Sequence, residues 1–353
     1  MKTISSTLLF LLLTATTYGS VSNDSLMKVL KLELSKKSIY DRQKNIEINK
    51  LKSSLAACSP SDHKEQYILC TSLYNEYFNF QYDSAYVYTR RLLSISNRMH
   101  DMPRQYDSKI KLGLILISSG MFKETFDCLN DVNSKLLTDD SKLLYYELKY
   151  RVYKALSEYN SDTFYSRYDA AESVKYLDTA ITLAKPNSFE HLIDIAQLPA
   201  NHAGLPGPKY KYYEYLLYKR NLTPHQVAMV ATGLSSYYYG ENKLKLLLIA
   251  AINDVRTSTK ETLAIFRLGK ELDKKGDIVN AYTFLQEAMN NAQFYGSRLH
   301  KVEIASVLPY VAAKKLLVTE KEKNQMVIYL FSAFIISVII VHIPINLTPF
   351  RQF

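Results

Sequence analysis

Residues 267–288 read RLGKELDKKGDIVNAYTFLQEA. Leu268 and Leu272 stand four apart, which puts both on one face of a helix. Gly276 follows, the residue type best able to end a helix in a left-handed turn. Ile278 comes after the turn, and Ala281, Leu285 and Ala288 then continue at spacings of four and three. Gly269 and Ala281 are small enough to let two helix axes come close. The stretch therefore predicts a pair of antiparallel helices that share one apolar seam.

The seven-residue glycine spacing recurs. Gly113 and Gly120 carry it in KLGLILISSGMFKETFDCLNDV (111–132), where Leu112, Leu116, Phe122, Leu129 and Val132 fill the matching places and Thr125 replaces the small alanine. Gly233 and Gly240 carry it in TGLSSYYYGENKLKLLLIAAI (232–252), a weaker match in which only Ile249 and Ile252 fit the second helix. Gly240 lies 36 residues before Gly276, close to the 34-residue period of tetratricopeptide repeats. With only ten Gly and ten Pro in 353 residues there are too few turn formers for an all-β chain. The fold class is all-α: a tetratricopeptide-like helical-repeat solenoid. Residues 61–99 read as a further pair turning near Asn79–Asp83, and residues 141–185 as another turning near Tyr159–Asp162. Asn187–Pro208 reads as a loop, Asp24–Leu55 as one long helix, and Ser297–Glu322 as a last helix leading into an apolar segment.

The two ends set the expected topology. Residues 1–20, MKTISSTLLFLLLTATTYGS, have a basic start, a short apolar centre and small residues at the end, the pattern of a secretory signal peptide. Met326–Ile343 is an apolar run broken late by His342, and at ~1.5 Å per residue it just spans the hydrocarbon layer. The division is signal peptide 1–20, long helix 21–58, exported repeat domain 59–312, juxtamembrane helix 313–325, span 326–343 and cytoplasmic tail 344–353. Lys314, Lys315, Lys321 and Lys323 fall on the exported side, against the usual positive-inside bias, but the first segment normally dominates orientation.

No constellation points to catalysis, a metal or a cofactor. The seven histidines form no i, i+3 or i, i+4 pair, and no phosphate-cradling glycine loop or nucleophile elbow is present. The chain reads as a non-enzyme. Its +10 charge suits nucleic acid, anionic lipid or acidic glycans, or equally dispersed surface lysines, since no long Lys/Arg cluster appears; with no basic helix or helix-turn-helix candidate after the span, no direct nucleic-acid contact is expected. For Cys58, Cys70 and Cys128 the alternatives are a Cys58–Cys70 disulfide in an oxidising compartment or small buried thiols. Two clusters among the 29 tyrosines are candidates for ligand contact: YKYYEYLLYKR (210–220), with Tyr212 and Tyr213, and SSYYYG (235–240), with Tyr237 and Tyr238. A tyrosine pairs an apolar face with a hydroxyl, which suits a sugar ring and equally suits a helix interface.

The combination of leader, long helix, degenerate repeats with QYDSAYVYTRRLL (81–93) and SSGMFKETFDCLND (118–131), and KGDIVNAYTFLQEAMNNAQFYGSRLHKVEIASVLPYV (275–311) before a span resembles a family. It is similar to the bacterial membrane-spanning tetratricopeptide regulators of polysaccharide utilisation, starch-utilisation regulators in particular. The resemblance implies a single-pass protein of the bacterial inner membrane with its repeats in the periplasm. These would bind an oligosaccharide, or a protein or peptide in the repeat groove. Such regulators continue past the span into a cytoplasmic output region thought to bind DNA. Only PINLTPFRQF (344–353) follows here, so the expectation is a sensor that is truncated or that acts through another protein. The alternative is a scaffold that tethers a periplasmic partner.

Overall fold

The computed structural model describes residues 22–199, 202, 207–261 and 263–346, with side chains to residue 340. The expected signal peptide, and the tail from residue 347, lie outside the described residues.

Among the described residues six helix pairs follow one another, each packed on the next. After α1 (Asn23–Ser35) and α2 (Lys37–Ala57), the pairs are α3 (His63–Phe78) with α4 (Tyr82–Arg98), α5 (Met102–Ser119) with α6 (Phe122–Asn130), and α7 (Asp139–Asn160) with α8 (Tyr165–Leu183). The stack continues with α9 (Phe189–Gln197) and α10 (Tyr210–Lys219), α11 (Pro224–Leu234) and α12 (Gly240–Arg256), and α13 (Ala264–Lys275) and α14 (Ile278–Tyr295). Then come α15 (Arg298–Ala305) and α16 (Leu308–Asn346). No strand occurs among the described residues.

Local chemistry sets the ends. Side chains of Asp62, Asp101, Thr138, Ser188, Thr223, Asp277 and Ser297 accept from backbone N–H groups of the first helical turn. Gly120 and Gly276 close α5 and α13 at φ +84° and +81°, a conformation that costs a side-chain-bearing residue about 1–2 kcal/mol.

Three expectations differ from the structure. Asp24–Leu55 is not one helix: the chain breaks at Lys36, so α1 lies on α12 while α2 runs to α3. The corner is pinned by the buried Glu33 carboxylate, which accepts from Tyr40 and stands 3.1 Å from Arg256. Asn187–Pro208 is not all loop. Its first half is α9, which buries Leu192, Ile193, Ile195 and Ala196, and it completes a pair with α10. Ser297–Glu322 is interrupted at Ser306–Val307, and the second piece, α16, runs unbroken from Leu308 through the apolar segment. The division placed at residue 313 therefore falls inside a single helix. α16 is long and apolar enough to cross a membrane, and every side chain from Thr319 to Ile340 is exposed.

The stack also closes on itself. Tyr295 at the end of α14 donates its hydroxyl to Phe78 O at 3.0 Å, and Ser297 donates to Ser118 O at 3.3 Å. The rings of Phe80 and Phe294 stand 5.2 Å apart. The sixth pair thus meets the first and second.

Candidate functional site

Helix α7 carries Glu147, Tyr150, Arg151 and Lys154 at i, i+3, i+4 and i+7. This is the spacing of one helix face, occupied by charge and phenol where an apolar stripe would otherwise continue. Tyr150 is buried, Glu147 and Lys154 half-buried, and Arg151 exposed. Across from this stripe α9 presents Asp194 and Gln197. Tyr150 donates to Gln197 Oε1 at 3.0 Å, and Lys154 Nζ donates to the Tyr150 hydroxyl at 2.9 Å. Gln197 Nε2 in turn reaches Asp194 Oδ1 at 3.4 Å. Asp194 Oδ2 has no hydrogen-bond partner, although the residue is only 4% exposed. An unsatisfied buried oxygen of this kind costs about 1–3 kcal/mol.

The electrostatics follow from burial. Asp194 is pushed up to about 8 by loss of solvent, with Glu147 and Glu190 adding to the rise. Glu147 is raised to about 7, again by burial, against the pull of Arg151. Burial lowers Lys154, Glu158 opposes this, and the Arg267 and Arg151 charges add to the lowering. The arrangement is a chain of hydrogen bonds from Lys154 through Tyr150 and Gln197 to Asp194, with Asp194 Oδ2 left unpartnered beside aromatic walls.

The sequence-selected tyrosines divide around this cluster. Tyr213 is 5% exposed, and its ring lies 6.1 Å from that of Tyr237. Tyr237 sits in a short 3-10 turn, Ser235–Tyr237, is 37% exposed and donates to Ala196 O at 3.3 Å. Tyr238 turns aside to bond Glu214. Tyr212 packs against the main apolar core. Tyr210, which sequence reasoning passed over, links the group: its ring is 6.1 Å from Tyr237 and 6.5 Å from Tyr238. Glu147, Tyr150, Lys154 and Asp194 were also missed. The stripe on α7 was legible in principle, because its polar residues repeat with the helical period.

The glycines serve packing. A Cβ on Gly113 would lie 2.6 Å from Leu148, one on Gly269 2.7 Å from Leu285, and one on Gly233 2.5 Å from the Tyr213 ring. Ala281 is fully buried against the same seam as Gly269, while Gly240 opens α12 at φ +56°. The three cysteines are free thiols. Burial raises Cys70 and Cys128 to about 11 each. Among the described residues no group of three or more His, Cys, Asp or Glu side chains is placed to hold a metal ion.

No curated protein matches this chain. Residues 34–306, a span that takes in all six helix pairs, match the model of the SusR N-terminal TPR domain, and the chain belongs to that family.

Proposed function

We propose that the chain is a membrane-anchored, non-enzymatic sensor whose helical repeats lie in the periplasm and bind an oligosaccharide on the inner face of the closed stack. The observation that carries this reading is Asp194. It is a buried carboxyl with one oxygen unpartnered, set beside Tyr150, Lys154, Tyr213 and Tyr237. A hydroxyl-rich ligand, able both to donate and to accept, would supply the missing partner and stack a ring on tyrosine. Helix α16 would hold the domain at the inner membrane, with its C-terminal end in the cytoplasm. Family membership supports a regulatory role, and no residue here is assigned to nucleic acid.

Protease added to spheroplasts of the producing bacterium tests the topology. The reading predicts that fragments of residues 22–305 are released from intact spheroplasts. Protection of that region, with cleavage only after lysis, would refute it.

A scaffold role is the second reading. It is favoured by the aromatic tip of the α7–α8 hairpin, where Tyr159, Phe164, Tyr165 and Tyr168 are 62–84% exposed. Crosslinking followed by identification of captured proteins separates the two. A single periplasmic partner, with no oligosaccharide binding, would favour the scaffold.

A further inference from the structure

The seam that closes the stack lies one short helix before the root of α16. Within five residues the corner between α14 and α15 touches three elements of the first two pairs. Tyr295, 1% exposed, donates to Phe78 O at the end of α3. A Cβ on Gly296 would stand 3.4 Å from the Tyr82 Cβ of α4, and its carbonyl accepts from Ser119 Oγ at 3.4 Å. Ser297, fully buried, caps α15 by accepting from His300 N and donates to Ser118 O. Leu299 then lies against Gly120, where an added Cβ would come within 2.9 Å. Six residues after Leu299 the helix breaks, and α16 begins.

A second tie lies beside the corner. Lys260, 8% exposed, places its Nζ 2.7 and 2.9 Å from the two oxygens of Asp41 on α2. It stands over both Phe80 and Phe294, at 6.0 and 5.7 Å from their ring centres. Its backbone N–H donates to Asn79 O at 2.7 Å. One residue thus holds α2, the α3–α4 turn and the end of α14 together.

The seam joins two separate apolar cores. The apolar core is divided: one part runs through α9–α14 and includes Leu30, Ile304 and Val311, while another runs through α2–α5 around Leu73, Tyr77 and Leu92. The seam lies between these parts and combines hydrogen bonds, the ion pairs Lys260–Asp41 and Lys37–Glu287, the Phe80–Phe294 ring contact and the buried Tyr295 side chain. Such hydrogen bonds contribute about 0.5–1.5 kcal/mol each. The root of α16 is held by Val311, which is fully buried, by Lys314 on Asp273 at 2.8 Å and by Lys315 over the Tyr282 ring at 4.1 Å.

We propose that the α14–α15 corner is a coupling joint: opening the seam between the first and last repeats releases the N-terminal end of α15 from α3–α5 and loosens the root of α16 behind it. The closed inner face and the membrane helix would then share one two-state element. Only the final transmission across a bilayer rests on the reading of α16 as a span. The joint itself does not depend on any ligand.

Hydrogen exchange on the full chain in lipid nanodiscs tests this, comparing the natural protein with Lys260→Met. The expected result is roughly tenfold faster exchange at 78–82, 118–121 and 295–315 together, with α11 and α12 unchanged. Faster exchange confined to 78–82 and 118–121, with 298–315 unaltered, would overturn the proposal, since the root would then be fixed by α13 and α14 alone. If Lys260→Met fails to fold, Asp41→Asn makes the same comparison with the lysine retained. No change anywhere in a folded variant would equally overturn it.

Discussion

At the scale of single residues, two features are sharp enough to measure. Gly269 packs so closely that a methyl group would meet Leu285 at 2.7 Å. Gly269→Ala should therefore cost about 1–3 kcal/mol through overpacking, as read from urea unfolding. Adding Leu285→Ala should lose less than the sum of the two single changes, because the second removes the clash that the first creates. Asp194 gives a pH signature. Its carboxyl titrates near 8 in the folded chain and near 4 when unfolded, so the folded state holds the proton longer. Stability is greatest below the unfolded value and declines as pH rises from about 4 towards about 8. Asp194→Asn removes that decline. Its melting temperature should exceed that of the natural chain at pH 8, and the difference should vanish towards pH 4. A constant difference across this range would mean that Asp194 is not the group responsible.

At the scale of elements, the repeat pairs were legible where one local rule dominated. The glycines seven apart and the apolar stripes around them give α5, α6, α13 and α14 within a few residues. The reading failed where tertiary packing decides. Nothing near Lys36 marks a helix end, for there is no glycine or proline, and the break depends on Glu33 meeting Arg256 more than 200 positions later. α9 was hidden by Pro199, Gly204, Pro206 and Gly207 downstream, although Ser188 gives it an ordinary N-cap. The candidate site was half-visible: the tyrosine clusters stood out by composition, but Asp194 and the α7 stripe meet them only through the stacking of the third to fifth pairs. The placement of α1 on α12 has its own test. Leu30 is fully buried there, outside the segment that matches the family. Leu30→Ala should cost about 2–5 kcal/mol by thermal unfolding, whereas a frayed, independent α1 would make it neutral.

At the scale of the whole molecule, closure changes what a helical-repeat stack can do. An open stack presents a long groove to an extended chain. Here the last pair returns to the first two, and the polar face between α7 and α9 is flanked by Tyr213 and Tyr237 of the fourth and fifth pairs. Ordering that face around a ligand would bind repeats together that otherwise meet only at the seam, so binding should be read as added stability. The most direct measurement is calorimetric titration of the full chain in detergent with a panel of neutral and acidic oligosaccharides, repeated with Asp194→Asn and Tyr237→Ala. At least one oligosaccharide should bind the natural chain, and each substitution should weaken it by roughly tenfold or more, the cost of losing a hydrogen bond to a buried partner or a stacked ring. Binding of equal strength in both variants, or none by any member of the panel, would contradict this reading.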